Sequence, residues 1–152
     1  MEHVYEAEME LPLPRSEVFA FFADAANLQR ITPPELRFEI VTPMPFTIEK
    51  GAVIDYRLRL FGVPFGWKTR ITVWEPPGRF IDDQISGPYA LWVHTHTFED
   101  RSGSTLIRDK IVYRLPFSPL GELVHPLVRR QIERIFAYRQ SVVRDALATG
   151  RA

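Results

Sequence analysis

At 152 residues the chain has the length of one domain, and folding at that size removes roughly 68–70% of the unfolded chain's surface from water, enough for a core and a modest cavity. Hydrophobic residues make up 45% and charged residues 25%, and 19 Lys and Arg against 19 Asp and Glu leave no net field to gather nucleic acid or anionic lipid. With no cysteine, disulfides, thiolate nucleophiles and sulfur-ligated zinc are excluded.

The first residues, MEHVYEAEMEL, alternate in polarity and carry acid rather than base, which predicts a strand over 3–11 and not a secretory signal. No apolar run reaches the roughly 20 residues of a membrane-spanning helix, so a cytoplasmic location is the default expectation. Pro12 and Pro14 end the strand. Val18, Phe19 and Phe22 then recur at helical spacing, predicting a short helix over 16–23 with Ser16 as N-cap. Asp24 is placed to cap a second short helix through Leu28 and Ile31, which Pro33 and Pro34 terminate. From 36 to 115 turn signals at Lys50-Gly51, Gly62 to Pro64, Pro76 to Gly78, Gly87-Pro88 and Arg101 to Ser104 separate six strands, at 36–42, 52–60, 66–75, 79–86, 89–99 and 104–115. After Leu115-Pro116 and Ser118-Pro119 comes a long amphipathic helix. Its apolar positions include Val128, Ile132, Ile135, Phe136 and Val143, Pro126 suits its first turn, Leu120 to His125 form a separate turn, and Gly150 is a fitting stop. One domain is expected over 1–149, with 150–152 as a tail. Arg129, Arg130, Arg134, Arg139 and Arg144 fall on the polar side of this helix and read as a solvated face, with a docking patch as the alternative.

Strand alternation divides each strand into two faces. Ile54, Tyr56, Leu58 and Leu60 point to the core, with Asp55, Arg57 and Arg59 opposite. In the next strand Trp67, Thr69, Ile71 and Val73 point inward, leaving Trp74 outward or at an edge. The last three strands mix apolar and polar residues on the inner face: Phe80, Asp82 and Gln84; Trp92, His94, His96 and Phe98; Ile107, Asp109, Ile111 and Tyr113. A buried polar group costs roughly 1–3 kcal/mol without a partner. Two arrangements avoid that cost. His94, His96, Asp82 and Asp109 can satisfy one another in a closed network bracing the strands, or they can line a cavity framed by Tyr56, Trp67, Trp92 and Tyr113 that admits a ligand.

A binding site drawn on these faces comprises Tyr56, Leu58, Trp67, Thr69, Gln84, Trp92, His94, His96, Asp109 and Tyr113, with Phe136 from the helix. The aromatic residues supply contact area, and Gln84, His94, His96 and Asp109 orient a polar end. If the site is catalytic, its candidates are His94 or His96 as base, Asp82 or Asp109 as orienter, and Tyr56 or Tyr113 as donor to a developing enolate, the equipment of a cofactor-independent cyclase, dehydratase or isomerase. No metal is expected, because the His pair and its carboxylates lack further ligands at a diagnostic spacing and His3 and His125 lie in distant segments. No Gly-x-Ser-x-Gly elbow and no glycine-rich phosphate loop occur, so neither a serine nucleophile nor a nucleotide cofactor is supported.

The order strand, two short helices, six-strand meander, long C-terminal helix resembles the START and polyketide cyclase-like (SRPBCC) superfamily. The resemblance rests on Leu13–Phe19 (LPRSEVF), Phe80–Pro88 (FIDDQISGP), Leu91–Phe98 (LWVHTHTF), Asp109–Pro116 and Ile135–Arg139 (IFAYR), and spans nearly the whole chain. It implies an α+β helix-grip fold: a curved antiparallel sheet of about seven strands wrapped around a long C-terminal helix. It also implies a cavity between them for a lipid-, polyketide- or sterol-like molecule, used by some relatives for cyclisation or dehydration. The superfamily has no universal catalytic set to carry across. Hydrophobic ligand binding is therefore the first expectation, a small acid–base enzyme the second and a protein-interaction module the third. The ligand's identity and the oligomeric state are not encoded in any motif.

Overall fold

The structure is a computed structural model and describes residues 1–149; the expected stop at Gly150 and the tail 150–152 lie outside the described residues. Its frame is a seven-stranded antiparallel sheet in the order β1-β7-β6-β5-β4-β3-β2. The strands are β1 (His3–Leu11), β2 (Glu39–Ile40), β3 (Val53–Leu60), β4 (Val63–Glu75), β5 (Arg79–Ser86), β6 (Leu91–Arg101) and β7 (Ser104–Arg114). Between β1 and β2 lie helices α1 (Arg15–Ala23) and α2 (Ala26–Arg30) and a 3-10 turn at Pro34–Leu36. A second 3-10 turn, Leu120–Val124, leads into α3 (His125–Thr149).

The curved sheet and long C-terminal helix form the helix-grip fold. Consecutive strands from β2 to β7 pair with their neighbours in sequence, and β1 closes the other edge against β7. Two of the hairpins use two-residue loops with positive φ at both positions, Phe61-Gly62 and Ser102-Gly103, the geometry whose twist matches that of the flanking strands. The side chains that face α3 are those selected by alternation. On β1 the inner set is His3, Tyr5, Ala7, Met9 and Leu11, with Val4 alone among the apolar residues turned outward.

Several elements differ from their sequence-based placement. The strand expected over 36–42 shrinks to Glu39–Ile40, because the 3-10 turn buries Leu36 and Arg37 takes a left-handed backbone. β4 begins at Val63, which moves the turn to Phe61-Gly62. Helix α1 starts at Arg15 behind Pro14, so Ser16 is not its N-cap. Asp24 does accept the Ala26 amide at 3.0 Å at the start of α2. The strongest change comes from two register shifts between β4 and β5. Ile71 stands opposite Asp82, but Val73 stands opposite Ile81 and Trp74 opposite Phe80, so the extra residue at Thr72 reverses the faces beyond it. Trp74 is therefore an inward residue, packed edge-on against Phe19 at 5.2 Å, and Val73 is not.

The core falls into two large clusters on the inner side of the sheet. One joins Met9, Leu11, Phe19, Phe80, Phe98 and Ile107 to α1 and the far end of α3 at Val143. The other joins Ile111, Tyr113 and Leu115 to Val128, Ile132 and Phe136 of α3. Burying such side chains is worth roughly 1.5–3 kcal/mol each and holds the helix across the sheet. The polar inner residues occupy the ground between these clusters. Among the described residues no helix is both long and apolar enough to cross a membrane.

Candidate functional site

Neighbouring inner positions of β5, β6 and β7 bring the four polar residues together. Asp82 stands opposite His94, and His96 stands opposite Asp109. The hydrogen bonds run along the diagonals instead: His94 Nε2 lies 2.8 Å from Asp109 Oδ1, and His96 Nε2 lies 2.6 Å from Asp82 Oδ2. His96 Nδ1 is a further 3.4 Å from Asp109 Oδ1. The imidazoles stack at 3.6 Å between centroids, and Phe80 covers the other side of His96 at 4.0 Å. Three strands are thus cross-braced through side chains as well as through the ladder.

This network is also the floor of a cavity of about 150 Å³ between the sheet and α3. Its walls are Tyr56, Leu58 and Trp67 from β3 and β4, Tyr89 from the turn before β6 and Trp92 from its start, and Ile132, Ile135 and Phe136 from α3, with Leu28, Leu36 and Phe38 from the segment between α1 and β2. Asp82, His94 and His96 face it, and Arg139 closes it from the helix. A second chamber of about 50 Å³ under α1 and α2 shares Leu28, Tyr56, Asp82, His96 and Arg139 with the first. The closed network and the ligand-sized space coexist, one side of the network being a wall of the other.

Of the residues the strand faces propose, Tyr56, Leu58, Trp67, Trp92, His94, His96 and Phe136 line the larger space. Four do not. Thr69 is buried and donates to the Asp83 carbonyl at 3.0 Å. Gln84 braces the turn into β6, donating to the Tyr89 carbonyl at 2.8 Å and accepting its amide at 3.2 Å. Asp109 sits behind the histidines, and Tyr113 is fully buried with its hydroxyl 2.8 Å from His125 Nε2. An enolate in the cavity would thus find Tyr56 as donor, not Tyr113.

Sequence reasoning places Arg139 on a solvated helix face, and the structure corrects it. Arg139 follows Ile132 by seven residues and Phe136 by three, so it shares the apolar stripe. Its guanidinium stands 5.3 Å from the Phe22 ring and 5.5 Å from the Phe136 ring, a cation held between two aromatic rings. The spacing alone contained that signal. Tyr89 is another omission, with Leu28, Leu36, Phe38, Ile132 and Ile135; it follows Gly87-Pro88 and packs on Trp67 and Trp92.

Electrostatics separate the two histidines. Burial, then the neighbouring His96, lowers His94 from the ordinary 6.5 to about 4, against the pull of Asp109, so it is neutral. Burial acts on His96 in the same direction, but its bonds to Asp109 and Asp82 outweigh burial and raise it. Burial likewise opposes the charge on Asp82 and Asp109, yet Asp82 is lowered by His96, and Asp109 is carried well below its usual range by Arg139 and both histidines. The resulting set is two carboxylates, one imidazolium and one guanidinium, neutral as a whole. Burial keeps the Tyr56 hydroxyl protonated. With Nε2 of His94 donating to Asp109, its Nδ1 carries a lone pair.

Donor atoms of Asp82, His94 and His96 lie within 4.8 Å of one another, the ligand types of a two-histidine, one-carboxylate site. The Nε2 atom of each histidine is already hydrogen-bonded to a carboxylate, and the Nδ1 atom of His96 lies 3.4 Å from Asp109 Oδ1. A shared ion would have to displace the contacts that His96 makes with Asp82 and Asp109.

Residues 11–137 match the family model for polyketide cyclase / dehydrase and lipid transport. The chain belongs to this family. Solved structures agree in fold: an aromatase/cyclase from Streptomyces sp. R1128 superposes with a TM-score of 0.78 at 15% identity over 100% of this chain and 98% of that one. A protein from Thermus thermophilus gives 0.76 at 18% identity, covering 99% and 100%. A Mycobacterium smegmatis protein gives 0.69 at 17% identity, covering 98% and 92%. No curated protein matches the chain. As a member of the polyketide cyclase / dehydrase and lipid transport family, the chain carries its cavity where sheet and C-terminal helix meet, and its own side chains decide what that cavity accepts.

Proposed function

We propose that this protein binds a hydrophobic or aromatic small molecule, of lipid, polyketide or sterol type, in the space between the sheet and α3. The carrying observation is a cavity walled by Tyr56, Trp67, Tyr89, Trp92 and Phe136 and floored by a satisfied ionic network. Apolar walls with a few fixed polar groups are what small-molecule sites share. At about 150 Å³ the space suits a single ring, since cavities of about that volume take up benzene. A larger molecule would extend toward the chamber beneath α1 or displace α2. The polar end of the ligand would lie at His94 and Asp82 as acceptors and Arg139 as donor.

Native mass spectrometry of protein purified without detergent tests this reading. A retained molecule, released by organic solvent, is the expected result. An unliganded mass together with no displacement of a fluorescent dye across a panel of fatty acids and polycyclic phenols would sink the proposal.

A second reading rests on the His94–Asp109 pair, whose imidazole faces the cavity beside the Tyr56 hydroxyl. There His94 Nδ1 would take a proton from carbon next to a ligand carbonyl while Tyr56 donates to the enolate oxygen. A conjugate acid near 4 makes His94 a weak base for that step, which favours binding over catalysis. Deuterium incorporation from heavy water into a bound aryl ketone, lost in His94→Gln, would support the catalytic reading; incorporation equal to that of free ketone would dismiss it.

A further inference from the structure

One end of the molecule bears apolar side chains that no part of the fold uses. Phe61 at the β3–β4 hairpin tip is 62% exposed, and Phe117 in the loop after β7 is 84% exposed. Leu120 and Leu123 of the second 3-10 turn and Leu127 in the first turn of α3 are 71%, 79% and 55% exposed, and follow one another at three and four residues along one stripe. Phe61 and Phe117 both line an apolar groove of about 180 Å³ at this end, which shares Leu60 and Tyr89 with the internal cavity. Gly121 and Val124 of the same turn line this groove with the two phenylalanines, so the exposed leucines and phenylalanines share one end of the molecule, and large apolar side chains gathered in this way mark an interaction site rather than ordinary surface.

The backbone adds an independent sign. Phe61 and Phe117 have φ of 53° and 60°, in the left-handed region where a bulky side chain is disfavoured and Gly or Asn is usual. Neither phenylalanine recovers that cost by burial. Strain maintained at an exposed aromatic points to a use outside the fold.

Charge identifies the partner. Arg37, Arg57 and Arg59, against a single acid at Glu39, line the groove that adjoins Phe65 at this end, Arg114 precedes the loop of Phe117, and Arg130 lies three residues beyond Leu127. None of the ion pairs among the described residues engages any of them. A second copy of the chain, related by a twofold axis, would set these arginines against each other. An anionic surface would not.

We propose that the end formed by Phe61, Phe117, Leu120, Leu123 and Leu127 docks this protein onto an anionic phospholipid bilayer, the leucines and phenylalanines entering the acyl boundary and the arginines meeting the headgroups. Separate side chains projecting from a hairpin tip, a loop and a helix start suit a fluid surface, and basic residues around them give attraction that salt weakens. The docked end carries the groove that adjoins the cavity, so an apolar molecule would pass between bilayer and cavity wall at Leu60 and Tyr89. Docking itself does not depend on any ligand occupying the cavity.

Vesicle co-sedimentation of the full chain tests this. Vesicles of mixed phosphatidylcholine and phosphatidylglycerol should bind the protein at least roughly tenfold more tightly than pure phosphatidylcholine, with the difference shrinking as salt rises. Leu123→Asp should reduce binding by a similar factor. Phe61→Asn and Phe117→Asn are the sharper variants, because asparagine tolerates the left-handed backbone: they should melt at the same or a higher temperature while losing vesicle binding. Sedimentation of these variants equal to that of the unaltered protein would overturn the proposal. So would a failure to bind anionic vesicles, or light scattering that finds a dimer which Leu123→Asp dissolves.

Discussion

His94 and His96 stand two residues apart on one face of β6, equally buried, and are held in opposite protonation states. The difference is geometric: His94 has one carboxylate, whereas His96 has Asp82 at Nε2 and Asp109 at Nδ1. Linkage turns this into a stability profile. Between about 4 and 6.5 the unfolded chain protonates His94 and the folded chain does not, so stability is lost as pH falls through that window, by about 3 kcal/mol in all. His96 works in reverse: its folded form keeps a proton that the unfolded form releases above 6.5, so its contribution is complete below 6.5 and is lost as pH rises through the raised value. Asp82 and Asp109, both lowered from 3.8, lose their contribution only under more acid conditions. Urea unfolding should therefore show a stability maximum close to pH 6.5, and His94→Gln should flatten the limb between 4 and 6.5. An acid limb of unchanged slope in that variant would contradict the assignment.

At the scale of elements, the second 3-10 turn is seated by one glycine. A Cβ on Gly121 would lie 2.0 Å from the Pro116 carbonyl oxygen, and the Gly121 amide donates to the Phe117 carbonyl at 2.8 Å. Gly121→Ala should cost about 2 kcal/mol in chemical denaturation by forcing this turn off the loop; a loss below about 0.5 kcal/mol would mean that the turn moves freely. The strands differ in how far they can be read without coordinates. β6 and β7 pair without interruption from Leu91 opposite Arg114 to Arg101 opposite Ser104, so alternation assigns every inner residue on both. β4 defeats the same rule because Thr72, Val73 and Trp74 all suit a strand on either face, and only the pairing reveals which of them is extra. The cavity floor is legible for that reason, while its roof is legible at Phe136 and not at Arg139. Arg139 has the spacing of a core residue and the chemistry of a surface one, and the aromatic rings of Phe22 and Phe136 that reconcile the two come from distant segments. Thr69 and Gln84 have the right phase, but each spends its polar atoms on nearby backbone, a competition invisible to periodicity.

The whole molecule is electrically neutral only as a sum. Glu6, Glu8 and Glu10 occupy the outer face of β1 at one edge of the sheet, and Arg57 and Arg59 occupy the outer face of β3 near the other. A count of 19 against 19 thus conceals a molecule with an acidic edge and a basic, apolar end. Between them lies the cavity, with an ionic floor that α3 covers and aromatic walls that α2 and the following turn complete. The proposed binding function depends on that space admitting an apolar molecule. Calorimetric titration with phenol, a single ring of the size the cavity takes, tests it most directly when paired with Leu28→Trp, which fills the wall common to both chambers. The account predicts saturable heat for the unaltered protein and none for Leu28→Trp of equal thermal stability. No saturable heat from the unaltered protein, or the same heat from both, would contradict it.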